Sequence, residues 1–486
     1  MNVLTDAQME LMRRRLADAG IAGDQEAAVA EDTRPEPSDG DLGVAERRMW
    51  KIYELDPESI SHNHGVFLEF DDAYSVEAVI ASFERLVNAS AVLSSVIADG
   101  DDGLPRRAPN RWDGRWVVHG QVWEWGSMPE TGAAEGQEYA EVVRGAASVL
   151  STAPFRLRQD PPIRARVYAR PNGGVSMVLV LHHLAFDETA LPRIIGGLVA
   201  RPEAAVSETR APRTVTRRGA ALDRAVRHAT ETWAAEGIRY PLSGALPETS
   251  PEQSWLSAMT EGSGAYLTHP IDRSDVSALA GVARTVGATP NAVFIVVSAL
   301  SIAAMTGADD YVLLVPADNR QPEDAPDQVG YCGNVVPMRF TIDPAASTKD
   351  ALRAAVSTVY DAMEFSSVDY GPILTALRGA GGRFPVAEVM VLVRNAPLRG
   401  VPVPDGASVS CETVFKGVVH YPLSLAFEIS EDDRVHLEIE YRTDVLDTSY
   451  ARRAANVVAE LVARVPRSLD RPVAELFDEI RSAVGV

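Results

Sequence analysis

The chain has 486 residues, which is too long for one ordinary hydrophobic core, so its length predicts two domains or subdomains. Its hydrophobic fraction of 46% and charged fraction of 23% are typical of a soluble globular protein. No apolar run approaches the length of about 18 residues that would predict a membrane span, and the net charge of −22 argues against nucleic acid as a partner, because a phosphate backbone requires a basic surface.

The N-terminal 41 residues predict a short helix followed by a linker. Apolar residues recur at helical spacing over residues 4–19, whereas residues 23–41 are acidic, contain prolines and lack aromatic side chains. No apolar segment near the N-terminus resembles a secretory signal, so we expect a cytoplasmic protein. The ordered core is expected to begin near Leu42, and the segment before it is either a docking element for a partner or a frayed terminus.

After Leu42, helical and strand patterns alternate along the first half of the chain. The sequence "PNGG" between two apolar runs is the strongest hairpin signal in the chain. Ser75 is a candidate helix N-cap, and Pro192 fits the first turn of another helix. The predicted elements are a strand at 62–70, a helix at 75–90, hairpin strands at 164–170 and 175–181, and a helix at 188–200.

A polar, Arg-rich segment at residues 201–222 predicts a boundary, after which strands and helices alternate again. The fold class is α/β, with an N-terminal segment at 1–41, one subdomain at 42–215 and a second at 216–486. The predicted elements of the second are strands at 265–271, 310–318, 335–342, 388–396, 423–429 and 434–443, and helices at 274–287 (capped by Ser274), 289–307 and 448–465.

Cysteine and histidine spacing predicts no metal site. Cys332 and Cys411 have no second cysteine or histidine at ligand spacing, so we expect free thiols in a reducing compartment. His62 and His64 form an H-N-H triplet without a third ligand nearby, which favours a surface or loop role.

The stretch "LHHLAFDE" carries the clearest chemical signal. His182 and His183 end an apolar strand, where the sheet can fix the backbone while a ring enters a cavity. Asp187 is expected to turn back to Arg164 on the preceding strand, because a bidentate Arg–carboxylate pair would hold the loop. Both histidines could instead be satisfied core residues.

Five ordered motifs resemble the condensation domains of nonribosomal peptide synthetases. "HHLAFD" is similar to the family's HHxxxDG motif, and "APFRLRQDPPIRARVYA" to the segment that precedes it and carries the paired arginine. "VAERRMWKIYELDP" resembles the opening motif, and "GYCGNVVPMRF" the GxFVNTxPLR motif, with Gly330, Asn334 and Arg339 at matching positions. "VDYGPILTAL" and "LEIEYRTDVLDTSYARR" resemble the later motifs.

The resemblance implies two chloramphenicol-acetyltransferase-like subdomains in a V-shaped pseudo-dimer, with the active-site tunnel between them. It implies that His183 serves the attack on a thioester carbonyl, as a base or by positioning the nucleophile, with His182 and Asp187 as the other catalytic-motif residues holding the loop and Arg164 supporting them. No cofactor is expected, because the donor arrives on the phosphopantetheine arm of a carrier protein. Weaker candidates for the tunnel wall are Glu188, Tyr331, Asn334, Arg339 and Ser424.

The chain departs from the family pattern at three places. Glu188 replaces the motif glycine, "ASAVLSS" replaces the family's RHxxLRT, and Pro422 replaces a late aspartate. Glu188 could narrow the acceptor side, attract a cationic or hydroxylated nucleophile, or act only as a carboxylate at a helix N-terminus, the interpretation that we adopt here. The losses predict a divergent member with an unusual substrate.

The sequence has no carrier-attachment motif, so we expect a free-standing condensation enzyme of natural-product (antibiotic) biosynthesis that uses a carrier protein in trans. It would transfer an acyl or aminoacyl group to an amine or alcohol nucleophile, either a small molecule or a group on a second carrier, and form an amide or an ester. The alternatives are a coenzyme-A-dependent O- or N-acyltransferase, an epimerisation domain, and a non-catalytic recruitment domain.

Overall fold

The computed structural model describes residues 40–109, 123–125, 137–171, 173–200, 209, 211, 220–233, 241–242, 262–320, 328–371, 373 and 387–485. The predicted helix at 4–19, nearly all of the linker and most of the segment at 201–222 lie outside these residues. The boundary predicted near residue 215 therefore stays a prediction.

The described elements agree closely with the predicted order of strands and helices. The helices are α1 (Val44–Leu55), α2 (Val76–Asn88), α3 (Gln137–Thr152), α4 (Leu191–Val199), α5 (Ala220–Trp233), α6 (Arg273–Val286), α7 (Pro290–Thr306), α8 (Thr348–Met363), α9 (Thr448–Arg464) and α10 (Val473–Val484). The strands are β1 (Asn63–Phe70), β2 (Ser95–Asp99), β3 (Pro105–Pro109), β4 (Trp123–Trp125), β5 (Ile163–Ala169), β6 (Val175–His182), β7 (Gly262–Ile271), β8 (Asp310–Asp318), β9 (Gly333–Thr341), β10 (Val389–Asn395), β11 (Val409–Val414), β12 (Val418–Val419), β13 (Leu423–Ile429) and β14 (Val435–Arg442).

The first unit is a sheet of order β11-β1-β6-β5-β4 with helices on both faces. Strand β6 is buried along its whole length, which explains why its sequence is apolar apart from Ser176 and the terminal His182. Its residues alternate between two cores: Leu179 and Leu181 face α2 and α4, whereas Val178 and Val180 face α1 and α3. The strand therefore positions whatever follows Leu181 between two packed layers.

The second unit is a mixed sheet of order β12-β7-β14-β13-β10-β8-β9. Helices α6 to α10 cover one face, where α7 is buried along nearly its whole length. The other face turns toward the first unit, and α5 covers part of it by packing Ala225 and Ala229 against β8 and β10. The second sheet thus supplies a large surface that faces the end of β6.

Two local predictions need correction. Helix α6 begins at Arg273, and its N-cap is Asp272, whose carboxylate accepts hydrogen bonds from the backbone N–H groups of Ser274 and Asp275, so Ser274 is not the cap. Strand β11 lies in the range predicted for the second subdomain, but it pairs antiparallel with β1 at the edge of the first sheet. This exchange of a strand joins the two units. Ser75 and Pro192 occupy their predicted capping and first-turn positions.

No single helix in the described ranges is long and apolar enough to cross a membrane. Helices α6 and α7 meet these criteria only together, as a pair bent by 101°, and α7 lies in the core of the second unit.

Candidate active site

A cavity of about 1170 Å³ lies between the two units, at the end of β6. The loop after β6 lines it with His183, Asp187, Glu188 and Thr189, and helix α1 contributes a further wall. On the second sheet, one face of each strand packs in the core, so the alternate residues face the cavity. These are Leu314 and Pro316 on β8, Met390, Leu392 and Arg394 on β10, Ser424 and Ala426 on β13, and Glu438, Glu440 and Arg442 on β14.

His183 is held with one ring nitrogen ready to accept a proton. Its Nδ1 lies 2.9 Å from the carbonyl oxygen of Phe186, and because a carbonyl only accepts, this contact assigns the hydrogen to Nδ1. Nε2 is then an acceptor without a hydrogen-bond partner in the described part of the chain. Burial lowers the pKa of His183 below 6.5, so the ring is neutral at neutral pH. Rings of Phe186 and Tyr331 pack against it, each with its centroid 4.9 Å away.

His182 does not line the cavity, although it belongs to the predicted catalytic motif. Its Nδ1 accepts a hydrogen bond of 3.1 Å from the backbone N–H of Leu184, and its ring packs edge-on against Tyr53 and Phe155. Burial lowers its pKa to about 3, so it stays neutral. His182 therefore shapes the turn after β6 and cannot touch a substrate in this cavity.

Asp187 pairs with Arg320 and not with Arg164, which corrects the prediction. Arg320 Nη1 lies 2.7 Å from both carboxylate oxygens of Asp187 and 3.3 Å from Asp318, and only 2% of its side chain is exposed. Asp187 also accepts a hydrogen bond of 2.8 Å from the backbone N–H of Cys332, so it joins the histidine loop to the second unit. The backbone N–H groups of Thr189 and Ala190 donate to it at 3.2 and 3.0 Å.

Arg164 serves the first unit alone. Its guanidinium donates to the carbonyl oxygens of Ala153 and Pro154 and lies 4.0 Å above the ring of Phe155. Burial without a carboxylate partner in contact lowers its pKa to about 10. The residue fixes the segment that enters β5, and it reaches neither Asp187 nor the cavity wall.

Asp187, Asp318 and Cys332 bring three potential metal ligands within 4.8 Å of one another. The guanidinium of Arg320 already lies between the two carboxylates, and it supplies the positive charge that a metal ion would bring. Burial raises the pKa of the Cys332 thiol, whereas a metal ligand would be a thiolate. These residues therefore do not fit a metal ion.

Tyr331 and Asn334 shape the wall beside His183. Arg48 on α1 hydrogen-bonds to the hydroxyl of Tyr331, donates to the carbonyl of Gly333 at 2.7 Å and forms an ion pair with Asp369. Asn334 accepts from the backbone N–H of Tyr370 at 3.1 Å and donates to two nearby carbonyls. Both predicted tunnel residues line the cavity, but Asn334 acts as a clamp on the segment at 366–370.

Two glycines allow this wall to form. Gly330 has φ of 144°, a conformation that favours glycine, and its carbonyl accepts a hydrogen bond of 2.7 Å from Arg320. A Cβ on Gly333 would lie 2.6 Å from the ring of Tyr331. Larger residues at either position would displace Arg320 or the ring that packs on His183.

Glu188 faces a cation across the cavity, and our interpretation of it as a helix-terminal carboxylate was wrong. Helix α4 begins at Leu191, and the backbone N–H of Ala190, just before the helix, donates a hydrogen bond to Asp187. Glu188 instead lies 3.8 Å from Nη1 of Arg394, which also contacts Glu428 and Glu438. Arg394 holds the pKa of Glu188 below its usual value, so this carboxylate is charged.

Of the two remaining weaker candidates, the structure places one at the cavity and the other away from it. Ser424 lines the cavity, but Arg339 does not: its guanidinium is bound by Asp310 on the neighbouring strand at 2.5 and 2.7 Å. Arg339 was predicted from its motif position alone. It shares the sheet face of Val335, which lines the cavity, but it lies further along β9 and does not reach the cavity wall.

Of the surface or loop role predicted for the H-N-H triplet, the structure supports a loop position for His62, which lies in the turn before β1, but neither His62 nor His64 is fully exposed. His62 lines the cavity, and its ring centroid lies 4.8 Å from that of His420, which lines it too. His64 packs on Phe186, and burial lowers its pKa to about 3 and that of His420 to about 4. None of these rings belongs to a group of metal-ligating side chains among the described residues.

Sequence reasoning missed several residues of the site because nothing in their local sequence marks them. Arg320 follows "PADN" in a polar segment, and Arg394, Glu438 and Glu440 occur in ordinary alternating strands. A polar residue on every second strand position signals a polar face, but it does not distinguish solvent from a cavity. These residues are Arg48, Arg320, Arg394, Lys416, His420, Glu438 and Glu440.

Comparison with known proteins supports the resemblance. A sequence model of the condensation domain matches residues 243–478, which contain the second sheet but not the histidine motif. The phosphinothricin tripeptide synthetase PhsC of Streptomyces viridochromogenes is 24% identical over 99% of this chain, which corresponds to 46% of PhsC. The chain spans less than half the length of the curated relatives that it matches, among them PhsC.

Two solved structures show the same fold. The first condensation domain of the calcium-dependent antibiotic synthetase, in complex with a substrate analogue, superimposes with a TM-score of 0.68 at 18% identity, covering 91% of this chain and 99% of that domain. The X-domain from teicoplanin biosynthesis, in complex with OxyB, gives a TM-score of 0.67 at 16% identity, with coverages of 93% and 98%. The predicted fold of two acetyltransferase-like units around a tunnel is confirmed. The resemblance to the condensation domains of nonribosomal peptide synthetases thus rests on a family match over residues 243–478, on relatives that share about a quarter of their residues with this chain, and on a shared fold.

Proposed function

We propose that this chain transfers an acyl or aminoacyl group from a phosphopantetheine thioester to an amine or alcohol nucleophile. The observation that carries the proposal is the state of His183. Its Nδ1 is tied to the carbonyl of Phe186, and its Nε2 is a neutral acceptor beside a cavity of about 1170 Å³. An imidazole held in this tautomer suits a general base at neutral pH.

The reaction forms one bond and breaks another around this nitrogen. The nucleophile attacks the thioester carbonyl, a C–N or C–O bond forms, and the C–S bond breaks. His183 Nε2 accepts the proton that the nucleophile loses and returns it to the leaving sulfur, so no net proton is consumed. The donor arm is a substrate carried by another domain or protein, and the chain needs no resident cofactor for this step.

The residues around His183 hold it in place for this role. Asp187 takes its hydrogen bonds from Arg320, Cys332 and the N–H groups before α4, so it fixes the loop and has no free lone pair directed at the ring. Tyr331 packs on the ring and is itself fixed by Arg48. We assign these as positioning residues and His183 as the catalytic residue.

Intact-protein mass spectrometry on carrier proteins tests the proposal. A panel of carriers loaded with acyl, aminoacyl or aryl groups is incubated with the full chain and a pool of amines and alcohols, with acyl-coenzyme A as a separate donor. We expect enzyme-dependent unloading of a carrier and a new amide or ester of the matching mass. Because the carrier is a separate protein, the same experiment tests whether it acts in trans.

The matched control is His269→Gln, because His269 lies on β7 and does not line the cavity. This variant should retain activity, and His183→Gln should lose it. Turnover of acyl-coenzyme A with carriers left loaded would replace the proposal with a coenzyme-A-dependent transferase, and carrier binding without any turnover would replace it with recruitment.

A further inference from the structure

An acidic wall of the cavity stands out from the apolar remainder of the second sheet. Glu438 and Glu440 occupy alternate positions of β14 and face the cavity, and Glu188 reaches the same region from the histidine loop. Glu428 on β13 completes the group behind them by binding Nε of Arg394 at 3.2 Å. We call these four glutamates, with Arg394, the acidic wall.

The acidic wall carries more negative than positive charge. Arg394 contacts three of its carboxylates, and Lys416 is the cation that most lowers the pKa of the fourth, Glu440. Arg442, which also lines the cavity, is bound by Asp444 at 2.5 and 3.0 Å. The four glutamates thus share two neighbouring cations, Arg394 and Lys416. Burial raises the pKa of both Glu428 and Glu440, as expected where carboxylates lack full compensation.

Ser424 gives an independent sign that this wall meets a ligand. Ser424 is only 8% exposed and lines the cavity. Its hydroxyl has no hydrogen-bond partner among the described residues. In the antiparallel pairing of β13 with β14, Ser424 lies directly opposite Glu440, so both side chains leave the sheet on the same face. The hydroxyl is open to the cavity, so a molecule bound there can supply the hydrogen-bond partner that the protein does not.

On the basis of the proposed function, we propose that the acidic wall binds a positively charged nitrogen of the nucleophile. The nucleophile would then be an amine that carries two nitrogens: one that attacks the thioester and a second, cationic one that the wall binds. Glu440 and Ser424 would contact this nitrogen, and Glu188 and Glu438 would contribute charge beside it. The attacking amine must be neutral to form the new C–N bond, so the positive charge belongs to the other nitrogen. A diaminoalkane or a basic amino acid has this chemistry.

The test measures kcat/KM for three nucleophiles of equal chain length with one neutral acyl donor on its carrier. The nucleophiles are a diaminoalkane, the corresponding amino alcohol and the corresponding amino acid, which carry a cationic, a neutral and an anionic far end. We expect the diaminoalkane to be preferred over the amino alcohol by about tenfold or more, the value of one hydrogen bond to a charged group. Glu440→Gln should reduce this preference by about tenfold.

Glu431→Gln is the matched control, because Glu431 is exposed in the turn between β13 and β14 and does not line the cavity. It removes the same charge and should leave the preference unchanged. Calorimetric binding of the diaminoalkane to the full chain provides a readout that needs no turnover. Glu440→Gln should weaken this binding by about tenfold, and Ser424→Ala should weaken it too.

The outcomes separate the two proposals. Condensation of all three nucleophiles at similar rates would overturn the cationic acceptor and leave the proposed function standing. Binding of the diaminoalkane that depends on Glu440, without condensation of any nucleophile, would support the acidic wall and overturn the function.

Discussion

Replacing Arg320 by methionine should destabilise the protein strongly, because it leaves two buried carboxylates without their cation. The guanidinium contacts Asp187 at 2.7 Å and Asp318 at 3.3 Å, and these side chains are only 2%, 10% and 8% exposed. It also donates to the carbonyl of Gly330 at 2.7 Å. Removing one partner of a buried ion pair costs about 3 to 5 kcal/mol, and we expect Arg320→Met to lower the free energy of unfolding by this amount.

Urea denaturation, followed by fluorescence and by circular dichroism, measures the effect. The two probes are needed because a chain with two units need not unfold in one step. The control is Arg434→Met, which removes a pair with Asp432 whose side chains are 63% and 56% exposed. An exposed pair contributes about 0 to 1 kcal/mol, so this variant should unfold nearly as the parent does.

A double-mutant cycle identifies the partner of Asp187. Combining Asp187→Asn with Arg320→Met should give a coupling energy of at least about 1.5 kcal/mol, whereas combining it with Arg164→Met should give less than about 0.5 kcal/mol. A loss below about 1 kcal/mol for Arg320→Met, or a larger coupling to Arg164, would refute the assignment.

Three further predictions concern titratable groups. In a pH profile, kcat/KM should fall to half of its maximum on the acid side below pH 6.5, because burial lowers the pKa of His183 and keeps its ring neutral to lower pH. Glu188→Gln should move this midpoint lower still, since the charge of Glu188 raises the pKa of His183. The free energy of unfolding, measured by urea titration, should fall as the pH drops below 6.5. His64 and His182 have pKa values of about 3 in the folded protein, so at intermediate pH they bind protons only on unfolding. Near pH ~4.5 each should lower the free energy of unfolding by about 2 to 3 kcal/mol. Cys332 should resist alkylation until the protein unfolds, because burial raises its pKa, and rapid labelling of the native protein would contradict its placement.

Most of the fold was predictable because its elements carry local signals. The hairpin of β5 and β6 followed from "PNGG" between two apolar runs, and the strand β8 was predicted at its observed bounds, Asp310–Asp318. Strand β11 was missed, because its sequence "VSCETV" is mixed in polarity. Its place at the edge of the first sheet depends on pairing with β1, more than 300 residues earlier in the chain.

The candidate site was only partly predictable, since its key contacts join residues far apart in the chain. His183 could be identified from its position at the end of a buried strand. The partner of Asp187 could not, because Arg320 is 133 residues away and Arg164 is an equally plausible cation on the neighbouring strand. Glu188 was misread for the same reason, since its partner Arg394 comes from the other unit.

The central claim is that His183 Nε2 removes a proton from the nucleophile during acyl transfer. The most direct test is a single-turnover measurement of amide or ester formation at saturating loaded carrier, comparing the parent chain with His183→Ala and His269→Gln. Loss of a general base predicts a rate lower by about 10² to 10⁴ for His183→Ala, with carrier binding intact and His269→Gln unaffected. A His183→Ala rate within about threefold of the parent would contradict the claim and assign any catalysis to positioning by the rest of the cavity.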